Sequence, residues 1–224
     1  MKFNTIIVAT AGVAAIGGTA QSCTTLATSN IGIAIIKRVL LGGINNGLAI
    51  FKNKDSFLSN YLIEQAMPSE LKSINNTLMK IAPSLVAKEK EYIAQAAAYT
   101  VNIAEPILIN AVNNLNANDV QRIMQGASGT ATQVLKEKTA SQLAAAIMPK
   151  VDEKLNEFGL VKTLNMALQG SNMLGSLFGG GNSNTSATTG ISRMASEQMV
   201  NGLFFLVENY EKQNTAQIKG AMGQ

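Results

Sequence analysis

The stretch PSLVAKEKEYIAQAAAYTVNIAEPILINAVNNL, residues 83–115, decides the fold. Ile93, Ala97, Val101, Ala104, Leu108, Ala111 and Leu115 recur every three or four residues, the spacing of one helix face. Pro83-Ser84 suits a helix start, because proline lacks a donor that the first turn would leave unused. Pro106 is expected to kink the helix near Asn102 or Ile103, since its ring crowds the carbonyl four residues back. A run this long, apolar on one side, is a helix that must be buried against other helices.

Working outward, the same period continues on both sides. Ile31 to Ile50 is densely apolar but broken by Lys37-Arg38 and softened by Gly42-Gly43, giving an amphipathic or buried helix with a weak point rather than a membrane span. Asn53 to Ser56 reads as a turn, and Pro68-Ser69-Glu70 opens a helix whose Leu71, Ile74, Leu78 and Ile81 share a face. Asn118-Asp119 caps a short helix that Gly126 stops. Gly129-Thr130 starts another, with Leu135, Leu143, Ala146 and Ile147 inward, bent or restarted at Pro149 and ended at Gly159. Leu160, Leu164 and Leu168 extend the face into one more helix, and a last helix covers about Ile191 to Lys212. Residues 179–190 are almost entirely Gly, Asn, Ser and Thr and read as a flexible loop, and 214–224 as a loose tail. No segment shows useful strand periodicity. The expectation is an all-α, bundle-like single domain of seven to eight helices over residues 31–213.

Composition supports that class. Of 224 residues 46% are hydrophobic and 14% charged, enough for a sizeable core, and aromatic residues at 5% leave burial to Ala, Leu, Ile and Met, which suit helices. There is no His and a single Cys, which removes Ser-His and Cys-His nucleophiles, His-ligated or Cys-rich zinc and any internal disulfide. The formal charge is +4, but basic residues are scattered, so no nucleic-acid footprint is drawn.

The front of the chain carries an address. Lys2 supplies a positive start, Ile6 to Ile16 an apolar stretch, and Gly17 to Ser22 a small-residue approach to Cys23. The apolar stretch is about half the roughly 20 residues a spanning helix needs, so cleavage is the expected fate. Ala20-Gln21-Ser22-Cys23 resembles a lipobox, although Gln21 is a weak match and Ala20 replaces the usual Leu. The reading is a signal peptide at 1–22, a lipidated Cys23 and a tether at 23–30; ordinary cleavage near Ala20 or Ser22 with a free thiol is the alternative. Thr24 is not the Asp that resembles an inner-membrane retention signal, and no acidic cluster resembling the surface-export signal of Bacteroidota lipoproteins follows. The expected location is the periplasm-facing outer membrane.

Asn118-Asp119-Val120 to Gly126, Ala131-Thr132, Leu135, Thr139, Pro149, Gly159 and Met199-Val200-Asn201-Gly202-Leu203-Phe204-Phe205-Leu206 form a pattern that runs along much of the mature chain. It resembles the bacterial domain of unknown function 4197 family. Upstream it takes in Gly43-Ile44, Phe57-Leu58, Pro68 and Leu71-Lys72, and downstream Ile218-Lys219 and Met222-Gly223. Ser56 stands where that family has Gly, Asn201 where it has Asp, and residues 170–190 look unlike its ordered loop. The resemblance implies a helical, exported, lipoprotein-like protein; it supplies no activity and no catalytic residue.

Candidate sites are sparse. Glu105, beside Pro106 in an apolar run, could face a cavity, but a solvated or ion-paired role is the simpler reading. Gly202, Leu203, Phe204 and Phe205 could form an apolar ligand box, with core packing the simpler account. Asp119, Arg122, Thr132 and Thr139 read as caps and surface contacts. Gly126 to Thr130 offers helix-start N–H groups able to hold an anion, without the strand or Lys of a phosphate loop, so it is assigned a capping role. The sequence therefore points to a non-enzymatic envelope lipoprotein with no cofactor and no metal, attached to the membrane through its N-terminal lipid and engaging an envelope protein partner. The rival reading is a helical carrier of an apolar ligand such as a lipid tail.

Overall fold

The computed structural model describes residues 30–168 and 183–221, which are helical with no strand among them. There are ten α-helices among the described residues rather than seven or eight. They are α1 (Asn30–Lys52), α2 (Lys54–Leu58), α3 (Tyr61–Gln65), α4 (Ser69–Ile81), α5 (Pro83–Asn113), α6 (Ala117–Gln125), α7 (Thr130–Glu157), α8 (Leu160–Leu168), α9 (Ser183–Gln213) and α10 (Thr215–Ala221).

The excess over the expected number comes from short helices where turns and tail were expected. The Asn53–Ser56 turn is the cap of α2, with Asn53 accepting the Ser56 N–H at 2.8 Å, and Asn60 caps α3 through the Leu62 N–H at 3.1 Å. Residues 214–224 are not all loose tail: α10 packs on α1 and buries Ile218. Of the expected loop at 179–190, residues 183–190 belong to α9, and 179–182 lie outside the described residues. The buried run from Ile191 to Val207 nucleates that helix, after which each added residue gains a hydrogen bond at low cost, so weak formers can be carried along.

The four long helices form the body. α1 packs on α5, α5 on α7, α7 on α9, and α9 back on α1. Side-chain pairs fix the directions. Lys37 near the start of α1 donates to the Asn113 carbonyl at the end of α5. Tyr92 of α5 stacks on Phe158 just beyond α7, ring centroids 4.9 Å apart, and Asp152 late in α7 meets Ser192 of α9. Each neighbour therefore runs antiparallel, the up-down-up-down arrangement that suits helices sharing one apolar seam. α2 lies against α1 and α5, α3 against α9, and α4 against both α5 and α9, while α8 lies against α5, α7 and α9.

α1 is apolar and long enough, by length and composition alone, to cross a membrane. It is spent otherwise: Ile36, Leu40, Ile44, Leu48 and Phe51 are buried in the common core. The Gly42-Gly43 pair leaves α1 continuous, and its purpose is close approach. A Cβ on Gly43 would lie 3.3 Å from the Val207 Cα, and one on Gly47 would lie 2.7 Å from Leu203 Cδ1. Pro106 and Pro149 likewise sit within continuous helices, both exposed, and the carbonyls that lose a donor to them, on exposed Asn102 and Ala145, are open to water instead. Gly159 ends α7 as expected, at φ 68°, a conformation that favours glycine.

Candidate functional site

On α5 the apolar stripe of Ile93 and Ala97, followed back one turn, lands on Glu89. That placement buries a carboxylate completely. α4 crosses α5 here and brings Asn75, also buried, whose Nδ2 donates to Glu89 Oε2 at 3.2 Å and lies 3.6 Å from Met67 Sδ. α9 contributes Gln198, whose Nε2 donates to the Ile63 carbonyl at 3.2 Å. These bonds use the amide nitrogens and leave three buried oxygens without a partner among the described residues: Glu89 Oε1, Asn75 Oδ1 and Gln198 Oε1.

Glu89 and Gln198 line a cavity of about 30 Å³ together with Phe57, Leu58, Ile63, Met67 and Ile93, with Glu64 and Lys90 at its edge. Lys90 is engaged outside, its Nζ 2.8 Å from Glu64 Oε1. Burial pushes the Glu89 carboxyl up to about 7, offset in part by the Asn75 hydrogen bond and the Lys90 charge. Glu64, paired with Lys90, is held below the usual carboxylate range. The two carboxyls thus sit one helix apart in opposite states of ease, and once Glu89 is ionised these buried oxygens are acceptors with no donor to meet them.

A second buried carboxylate has the opposite arrangement. Glu211, near the end of α9, accepts from Gly129 N–H at 2.9 Å and Ala131 N–H at 3.1 Å through Oε1. Through Oε2 it accepts from Thr132 N–H at 2.7 Å and the Thr132 hydroxyl at 2.6 Å. The helix-start N–H groups read in the sequence as able to hold an anion are therefore filled by the protein's own carboxylate, with the helix dipole adding to the attraction. Gly129 is the cap residue by position but makes no side-chain cap bond, so the capping expected of this segment is supplied from outside it by Glu211. A further cavity of about 30 Å³ lies beside it, lined by Ile123, Gly126, Ser128, Glu211, Thr215 and Ile218 among others.

The remaining sequence candidates are distributed through the fold rather than gathered. Glu105 is half-buried on α5 and does not line the Glu89 cavity. Gly202 faces α3, where a Cβ would lie 3.4 Å from the Ile63 Cα. Leu203 reaches Gly47 on α1, Phe204 is 1% exposed with Lys136 Nζ of α7 5.9 Å from its ring centre, and Phe205 is half-buried. Asp119 is the third residue of α6, and Asn116, two residues before the expected Asn118, is the cap; their side chains and backbones bond reciprocally. Arg122 pairs with Glu137, one of its two bonds measuring 2.7 Å, and the Thr139 hydroxyl donates to the Leu135 carbonyl. Cys23 lies outside the described residues.

Glu89, Asn75, Gln198 and Glu211 were missed by the sequence reading. A signal existed for two of them: Glu89 stands four residues before Ile93, and Glu211 four after Val207, so each occupies an apolar stripe where a carboxylate must find a partner or a cavity. Nothing local marks Asn75 or Gln198 as their neighbours.

Among known proteins, the model of the family described as "Protein of unknown function (DUF4197)" matches residues 26–220. No curated protein and no solved structure matches the chain.

Proposed function

Because the chain belongs to the DUF4197 family across most of its length, we propose that it is an exported lipoprotein, anchored through Cys23 and serving the bacterial envelope as a non-enzymatic interaction module. The observation that carries this reading is the place of the single Cys. Cys23 follows a short apolar stretch and small residues, and stands three residues ahead of the family-matched region. Helix α1 begins at Asn30, so the six residues 24–29, TTLATS, are the tether between an acyl anchor and the domain. Each buried methylene of such an anchor adds about 0.8 kcal/mol of membrane affinity. The proposed location is the outer membrane, facing the periplasm, with an envelope protein as partner.

An apolar-ligand carrier has less support. Leu203 and Phe204, which suggested it, are engaged in packing α9 on α1 and α7, and the two cavities described above have room for water rather than an acyl chain. Metabolic labelling with palmitate tests the anchor: label on the wild-type protein and none on Cys23→Ala is expected, and label persisting in that variant overturns it. Cross-linking of intact envelopes followed by native mass spectrometry is expected to yield a defined protein adduct; a stoichiometric lipid without a protein would favour the carrier.

A further inference from the structure

We infer that the cavity at Glu89 is a binding site for a primary ammonium group, with Glu89 as its counter-ion. The argument is one of matching. With Glu89 ionised, the three oxygens without partners, Glu89 Oε1, Gln198 Oε1 and Asn75 Oδ1, are all acceptors. The nearby cation, Lys90, points away to Glu64. Buried polar groups in folded proteins are nearly always satisfied, so the two orphans on residues that line the cavity, Glu89 and Gln198, call for an occupant that supplies donors, while Asn75 stands beside them through its bond to Glu89 Oε2. Water brings two donors but also lone pairs that need donors of their own, and it leaves the carboxylate without a charge partner. A primary ammonium brings three N–H donors, no acceptor and a positive charge. The space suits it: a cavity of about 30 Å³ holds one or two small heavy atoms of such a group, with room for little else.

The walls set the rest of the ligand. Phe57, Leu58, Ile63 and Ile93 are apolar, and Leu58 is partly exposed at 41%, so an alkyl stem can leave past them while the ammonium stays on the polar floor. A quaternary ammonium has no N–H to give and is excluded by both chemistry and size. A free small amine and an ethanolamine-type lipid headgroup present the same ammonium; the recognised chemistry is the same. The site stands independently of lipidation at Cys23, since it is built from α2 to α5 and α9 alone.

The test is a titration of the detergent-solubilised full chain with methylammonium chloride, following the side-chain amide NMR signals of Asn75 and Gln198 against a sodium chloride control. Saturable shifts are expected at about pH 8 and weaker ones at about pH 5.5, where Glu89 holds its proton. Glu89→Gln, nearly isosteric, is expected to weaken binding by about tenfold or more. Gln198→Leu, which keeps the carboxylate, is expected to weaken it less than Glu89→Gln does. Tetramethylammonium is expected not to bind. Glycerophosphoethanolamine binding more tightly than methylammonium would assign the site to a headgroup, and equal affinities would assign it to free amines. The inference is overturned if methylammonium shifts nothing beyond the salt control, if Glu89→Gln binds as well as wild type, or if tetramethylammonium binds equally, the first result meaning that the cavity holds water only.

Discussion

Glu211 and Thr132, 79 residues apart, are joined twice by one carboxylate oxygen: Oε2 accepts the Thr132 N–H at 2.7 Å and its hydroxyl at 2.6 Å. The last turns of α9 thereby cap the first turn of α7. A helix start leaves four N–H groups without partners, and here three of them, on Gly129, Ala131 and Thr132, meet a group brought by tertiary structure, while the Thr130 N–H turns back to the Ala127 carbonyl. Glu211→Ala is expected to cost about 3 kcal/mol, since charge-assisted bonds are lost and buried donors stranded. Thr132→Val should cost about 1–2 kcal/mol. Urea unfolding followed by circular dichroism measures both, and a Glu211→Ala midpoint equal to wild type would show the cap to be dispensable.

Gly43 sets how closely α1 approaches α9. Its absent side chain leaves room for the Val207 backbone, which cannot swing aside as a side chain can. Gly43→Leu is expected to destabilise by about 1–3 kcal/mol or more through overpacking. Gly220→Ala, where a Cβ meets nothing within 4 Å, should be neutral or slightly stabilising. Differential scanning calorimetry on both separates close packing from helix propensity.

Phe204 anchors the α7 side of α9. At 1% exposure its removal leaves a cavity as well as a lost transfer term, and Phe204→Ala is expected to cost about 3–5 kcal/mol. An unchanged melting temperature would place the ring outside the core.

Glu89 gives stability an unusual dependence on pH. The folded protein holds its proton up to about pH 7, while the unfolded chain releases it near 4.5. Folding therefore retains a proton across that window, so the contribution is fully present below about 4.5, declines as pH rises to about 7, and is then constant. At about 1.4 kcal/mol per pH unit the decline is of order 3 kcal/mol. With no His in the chain, no other side chain ordinarily titrates between about pH 5.5 and 7. Glu64, Glu91, Glu137 and Glu153, held low by Lys or Arg partners, contribute with the opposite sign, and theirs is lost only as pH falls below about 4.5. Chemical denaturation across about pH 5.5 to 7 is expected to show stability falling with pH in wild type and flat in Glu89→Gln.

What the sequence determined by itself was local in origin. The three-to-four spacing from Ile93 to Leu108, Pro83 at a start and Gly159 at an end made helices legible, because these signals act within a turn or two of backbone. Five-residue helices α2 and α3 were not legible, since nothing so short is stable alone; they exist because Phe57 and Ile63 are buried against longer neighbours. The same holds for α10 and Ile218. Gly43 read as a weak point because propensity is counted along one helix, whereas its use is the approach of a second. Glu89 and Glu211 could be seen as misfits on apolar stripes, but their fates could not be told apart. One meets the open N–H groups of α7, 79 to 82 residues distant, and the other meets Asn75, Gln198 and a small cavity. A carboxylate's chemistry depends on which donors stand within about 3 Å, and that distance is set by how whole helices pack, not by the residues beside it in the chain.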